Sequence, residues 1–230
     1  MTPAPQSGST SDTPNLTVKQ QRQVQRDKKL EEFRKEQKRT VRNRKIGISI
    51  AVVAAVAVVG LVVASVVLTP QRASYTADAA GSGAKIKGVE TFSNSAGHVE
   101  TAVTYPQTPP AGGEHNPMWL NCGVYTEPVP NENAVHSLEH GAVWVTYDPS
   151  ISSAELDALK MKVPTTYAVL SPFEDIPSPI VLSAWNAQLK VDKADDPRIA
   201  KFFEEYWKSP NVPEPGSACT GALDAPGKVS

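Results

Sequence analysis

Residues 135–145 read VHSLEHGAVWV, and the fold turns on what happens at Gly141. Before it, His136 and His140 stand four apart with Glu139 between them, a spacing that puts both imidazoles on one side of a helical turn. After it, AVWVTYD (142–148) is apolar, β-branched and aromatic, which is strand chemistry. Asn131 and Asn133 precede the pair, so only one or two helical turns fit before the glycine ends them. The segment therefore reads as loop, short helical turn and strand rather than as part of a long helix.

The flanking elements follow from the same reasoning. SISSAELDALK predicts a helix capped by Ser152 or Ser153, with Glu155 near its first turn and Leu156 and Leu159 on one face. TTYAVLSP and PIVLSAW predict strands separated by the turn SPFEDIPSP. DDPRIAKFFEEYWKS predicts a second, Asp-capped helix with Pro197 at its start, its buried face formed by Ile199, Phe202, Phe203 and Tyr206. Upstream, KIKGVETF and HVETAVTY predict two strands joined by a turn at Ser93–Gly97. YPQTPPAGGEHNP (105–117) reads as an irregular loop and WLNCGVY as a short strand. Short strands and two helices predict a compact α+β domain over 85–222, with a mostly antiparallel sheet, followed by a tail at 223–230.

The N-terminal part is of another kind. Residues 1–18 are mostly Pro, Ser, Thr and Gln, and are expected to be disordered. Residues 19–45 carry twelve Lys and Arg against Asp27, Glu31, Glu32 and Glu36, and are expected to form a solvated basic helix. That stretch suits anionic lipid heads. Apart from Phe33 it lacks interleaved aromatics, so nucleic acid is not expected as a partner. Ile46–Leu68 then runs for 23 residues without a charge. At about 1.5 Å per residue, such a helix covers the roughly 30 Å of a hydrocarbon core. The basic head and apolar run exceed those of a cleaved signal peptide. The expectation is a single-pass transmembrane helix anchoring the chain in the cell membrane, with the lipid bilayer as its partner. Residues 69–230 hold eleven Lys and Arg against nineteen Asp and Glu. Because positive flanks stay cytoplasmic, the N-terminus is placed inside and the C-terminal domain outside, beyond a small-residue linker at 69–84.

Cys122 and Cys219 are the only cysteines. An even count in an oxidising compartment predicts one disulfide, whose long loop is worth roughly 4–5 kcal/mol by the chain-entropy model. The pair lacks the C-x-x-C spacing of a redox site.

All four histidines, His98, His115, His136 and His140, fall within residues 98–140. His115 and Met118 form an H-x-x-M pair. Imidazoles with a thioether suit copper, and imidazoles with Glu139 suit zinc. Singly, each has an ordinary alternative: His98 as a surface residue at a strand start, Met118 as core beside Trp119, and Glu139 as the group fixing a histidine tautomer. HSLEH also fits the H-x-x-E-H pattern of zinc hydrolases, in which both histidines hold zinc and the glutamate activates water. That chemistry needs a long helix and another carboxylate ligand, and the short helix counts against it. Ser137 has no G-x-S-x-G elbow, so no catalytic residue is assigned.

The stretch TYPQTPPAGGEHNPMWLNCGVYTEPVPNENAVHSLEHGAVWVTYDP, with PIVLSAW and EPGSACTG, resembles a family of membrane-anchored actinobacterial proteins catalogued as a domain of unknown function. The resemblance covers nearly all of residues 85–222. The family often has Ser-Gly-Pro-His where this chain has Gly-Gly-Glu-His, which leaves Glu114 either beside His115 or solvated. The resemblance implies one anchor, an extracytoplasmic domain and no established reaction, and gives weight to His115, His136, Glu139 and His140 as a unit. The leading expectation is a membrane-tethered extracytoplasmic metal-binding accessory protein, with copper preferred over zinc, acting near metal-requiring respiratory enzymes. The alternatives are a non-catalytic subunit of a respiratory or envelope complex with structural histidines, and then a zinc-dependent hydrolase.

Overall fold

The computed structural model describes residues 17–68 and 71–230, so the disorder expected of residues 1–18 falls almost wholly outside the described residues. The chain divides between Thr69 and Pro70 into two compact units. In the first, α1 (Val18–Leu68) is one continuous helix of 51 residues, without a buried residue. Its start has a local cause: Gln20 Oε1 accepts from the Thr17 amide and hydroxyl at 3.0 and 2.9 Å, half of a capping box. The basic and apolar stretches are thus two compositions on one helix. The apolar stretch is long and apolar enough to cross a membrane, which makes α1 a candidate membrane span or signal sequence.

In the second unit, β1 (Val89–Thr91), β2 (Ala96–His98), β3 (Gly113–His115) and β4 (Gly123–Val124) precede α2 (Asn131–Glu139) and β5 (Val143–Tyr147). Then come α3 (Ser153–Lys162), β6 (Ala168–Pro172), β7 (Ile180–Ala184), β8 (Ala187–Val191) and α4 (Pro197–Tyr206). The main sheet runs β1-β8-β7-β5-β6-β4. Its β1–β8, β8–β7 and β7–β5 pairings are antiparallel, whereas β5–β6 and β6–β4 are parallel. The sheet is therefore mostly antiparallel but mixed. The parallel β5–β6 pair requires a crossover, which α3 supplies.

β5, β6 and β7 are buried along their whole length, which explains their apolar runs. On one face Val143, Val145, Leu170 and Leu182 pack with Leu159 of α3 and Ile199, Phe202 and Phe203 of α4. The other face packs Trp144 and Val169 with Ala134 and Leu138 of α2, Leu120, Tyr125 and both cysteines. Both helix caps are formed: Ser152 Oγ accepts from the Glu155 amide at 3.2 Å, and Asp196 Oδ1 from the Arg198 amide at 2.8 Å.

Five expectations change. HVETAVTY is not a strand beyond His98, because residues 99–112 leave the sheet and the Val103 amide bonds the Glu132 side chain at 3.0 Å. The loop read at 105–117 contains β3, which pairs with β2, so β1 and β2 do not pair with each other. α2 adds a third helix to the domain; at nine residues it exceeds the one or two turns expected. The tail is part of the domain, with Leu120–Leu223 and Tyr125–Lys228 bridges and the Val124 amide donating to Ser230 O at 2.8 Å.

The linker is also different. Residues 71–84 are tied to the domain at several points: Tyr75 stacks on Phe203 with centroids 4.8 Å apart, and its hydroxyl donates to Lys162 O at 2.8 Å. The buried Glu205 carboxylate then accepts from Ser82 Oγ and the Gly83 and Ala84 amides at 2.6, 2.8 and 3.1 Å. Small residues here fit a tight strap over α4, a use of composition that a flexible spacer shares.

Candidate metal centre

Two strands and one short helix assemble the cluster. β2 and β3 run parallel with His98 paired to His115, so one register places two imidazoles side by side, centroids 4.9 Å apart. Gly113 begins β3 at φ 122°, a conformation that suits glycine, and a Cβ there would meet the Tyr105 ring at 3.3 Å. α2 brings His136, Glu139 and, at its C-cap, His140. It stops there because Gly141 takes φ 95° and lies against Lys208, whose Cα would be 3.2 Å from an added Cβ. His136 is the centre of the group. Its ring lies 4.9 Å from those of His98 and His115 and 4.6 Å from that of His140.

Three of the four rings are oriented alike. Nδ1 of His115 lies 2.7 Å from Gly113 O, that of His136 2.7 Å from Asn116 O, and that of His140 2.6 Å from Ala218 O. A carbonyl only accepts, so each Nδ1 carries the proton and donates it. Each Nε2 is left to face the cluster. His115 Nε2 meets Glu139 Oε2 at 2.8 Å, and His98 Nε2 approaches the same oxygen at 3.5 Å. His140 Nε2 meets Glu214 Oε2 at 3.2 Å. For His115 and His140, whose Nδ1 protons are committed to carbonyls, these contacts set a ring nitrogen lone pair against a carboxylate oxygen. They are satisfied either by a further proton or by a cation between the two. Burial holds His136 below the usual imidazole range, so this ring is biased to the neutral, ligating form.

His115, His136, His140 and Glu139 are buried, whereas the His98 side chain is 44% exposed, so the cluster opens to solvent at His98. Trp185 packs edge-on against His115, and Trp119 lies tilted against His136 and His140.

The donors fit a metal ion. One ligand atom each from His98, His115, His136 and Glu139 lie within 4.8 Å of one another, and the same holds for His136, His140 and Glu214. Tetrahedral ligands about 2.0–2.1 Å from an ion lie roughly 3.3 Å apart, so modest side-chain rotations close either group. The Nδ1-to-carbonyl bonds are the outer contacts that metal-ligating histidines commonly make.

Met118 sits differently. It is 51% exposed, and its described contacts are made by its backbone: its amide donates to Asn116 Oδ1 and its carbonyl accepts from Asn133 Nδ2. Glu114 is exposed and outside both groups. Ser137 is fully buried and donates to Leu120 O at 2.6 Å, as a structural hydroxyl would. The sequence reading missed Glu214 and the second group it completes. The signal was proximity to Cys219, which is disulfide-bonded to Cys122 with Cα atoms 5.4 Å apart. That bridge carries residues 214–219 back to α2, where the Glu214 amide donates to Glu139 O.

The chain belongs to the family described as protein of unknown function (DUF3105), whose model matches residues 98–221, a span that starts at the first of these histidines and closes just after Cys219. No curated protein and no solved structure matches the chain.

Proposed function

We propose that this is a membrane-tethered, extracytoplasmic metal-binding protein that holds a divalent transition ion, copper first and zinc second. The observation that carries this reading is the shared orientation of His115, His136 and His140, each with Nδ1 donated to a backbone carbonyl. A buried imidazole kept for packing alone has no need of its other nitrogen beside a carboxylate. With the Met118 side chain exposed, the donors are imidazole and carboxylate, a set suited to Cu(II) or Zn(II) rather than to Cu(I). Copper(II) stands above zinc in the divalent affinity order. The basic flank of the apolar stretch and the disulfide both support an outer, oxidising location. On this reading the protein serves metal-requiring enzymes of the envelope, such as respiratory complexes.

The hydrolase reading gains a ligand in Glu214 but loses its base, because Glu139 is engaged by His115 and His98. Equilibrium dialysis of the full-length protein in detergent against Cu(II), Zn(II) and Cu(I), beside a His115→Ala/His136→Ala variant, tests the metal reading. Stoichiometric uptake by the parent that falls at least tenfold in the variant is expected; equal, weak uptake by both ends it.

A further inference from the structure

The metal reading leaves open how many ions the six donors hold. Building on it, we infer that the centre is dinuclear, with one ion held by His98, His115 and Glu139 and a second by His136, His140 and Glu214.

The partition comes from the geometry. The donors fall into two groups that share only His136. Its Nδ1 is committed to Asn116 O, so it has one lone pair and serves one ion. A single ion among His98, His115, His136 and Glu139 would leave the second group unexplained. That group is built as carefully as the first. His140 is buried, its Nδ1 is fixed by Ala218 O, and its Nε2 faces a carboxylate from a loop that the disulfide and the Glu214–Glu139 backbone bond hold in place. Assigning His136 to the second ion makes the two donor sets identical in kind, two imidazoles and one carboxylate each.

One consequence and one further observation bear on this. Three protein ligands leave a fourth position open on each ion for water or an anion, as in catalytic zinc sites. Two divalent ions against two carboxylates also leave the loaded centre positive, so it favours a small oxyanion across both. Secondly, Trp119 Nε1 is a buried donor with no partner among the described residues, and its ring rests against both His136 and His140. An oxygen held on the second ion is an acceptor of the kind this N–H lacks.

Metal stoichiometry decides the matter. The full-length protein in detergent is equilibrated with Zn(II) alone, freed of loose ions by brief dialysis, and zinc and protein are measured together. Two zinc ions per chain are expected, falling to one in Glu214→Gln, where the substitution preserves shape on a half-exposed side chain. His140→Gln serves as the second variant, with circular dichroism to show that each is folded. One ion per chain in the parent, whichever variant loses it, overturns the dinuclear assignment and leaves the metal reading standing. No zinc in the parent likewise overturns the dinuclear assignment, and the metal reading then stands or falls on copper uptake in the dialysis.

Discussion

On one face of β5, Val143, Val145 and Tyr147 are sealed by aliphatic and aromatic side chains from α3 and α4. On the other, Trp144 packs against α2 and the disulfide, and donates to Ser171 Oγ at 2.9 Å. The first face is built of regular helices and long strands. The second is built of a short helix, a two-residue strand, loops and the chain terminus, tied by a covalent bridge and by side chain-to-backbone hydrogen bonds. The histidines lie on the second side, on α2 and on the short β2–β3 pair beside it. The division places stability where packing is regular, and chemistry where irregular backbone can turn carbonyls toward imidazoles. Loops carried on a rigid scaffold are the usual place for function, and here the scaffold is the opposite face of the same sheet.

Four measurements put that division at risk. The largest effect is expected on the apolar face: Phe202, fully buried in α4, changed to Ala should lower unfolding stability by about 3–5 kcal/mol in urea titration. Metal uptake per folded molecule should stay as in the parent; a parallel loss would mean that the two faces are coupled. Next comes the bridge. Cys122→Ser/Cys219→Ser should cost about 2–5 kcal/mol. Unlike Phe202→Ala it should also weaken uptake, because Ala218 O and Glu214 lose their fixed positions.

Gly141 joins the two sides, so Gly141→Ala should lower the melting temperature by an amount corresponding to about 1–3 kcal/mol, the cost of forcing a side chain into a left-handed backbone. The smallest effect is pH dependence. Burial lowers the His136 pKa in the fold, so the unfolded chain binds that proton more tightly. Its contribution to stability is complete above about pH 6.5, the free-imidazole value, and is lost as pH falls from there through the depressed folded value. Denaturation of the metal-free protein across this range should show a shallower acid decline in His136→Gln. An unchanged decline would move the effect to other groups.

The apolar face was readable because its signals are local and periodic. The helix at 197–206 shows its buried face in the spacing of Ile199, Phe202 and Phe203, and both caps are named by their residues. The centre was legible only as a list of donors. Spacing gave His136 and His140, and clustering gave His98 and His115. Their meeting depends on the parallel β2–β3 register and on a disulfide joining residues 97 apart, which no local pattern encodes. Glu214 stayed hidden because its partners are distant in sequence. Met118 entered the donor list on sequence proximity to His115 alone, which says nothing about which way a thioether turns; its side chain is exposed. Residues 71–84 were misread because small residues serve a flexible spacer and a tight strap equally well.

That strap bears on how the outer domain is to be isolated. A truncation starting at Lys85, where strand-like sequence begins, would delete Ser82, Gly83 and Ala84 and leave the Glu205 carboxylate buried with all three of its donors gone. It would also remove Tyr75 from its place on Phe203 and uncover the face of α4 that anchors the apolar side. Cutting at Gln71 keeps these contacts intact, so a soluble version of the domain owes its integrity to fourteen residues that look expendable.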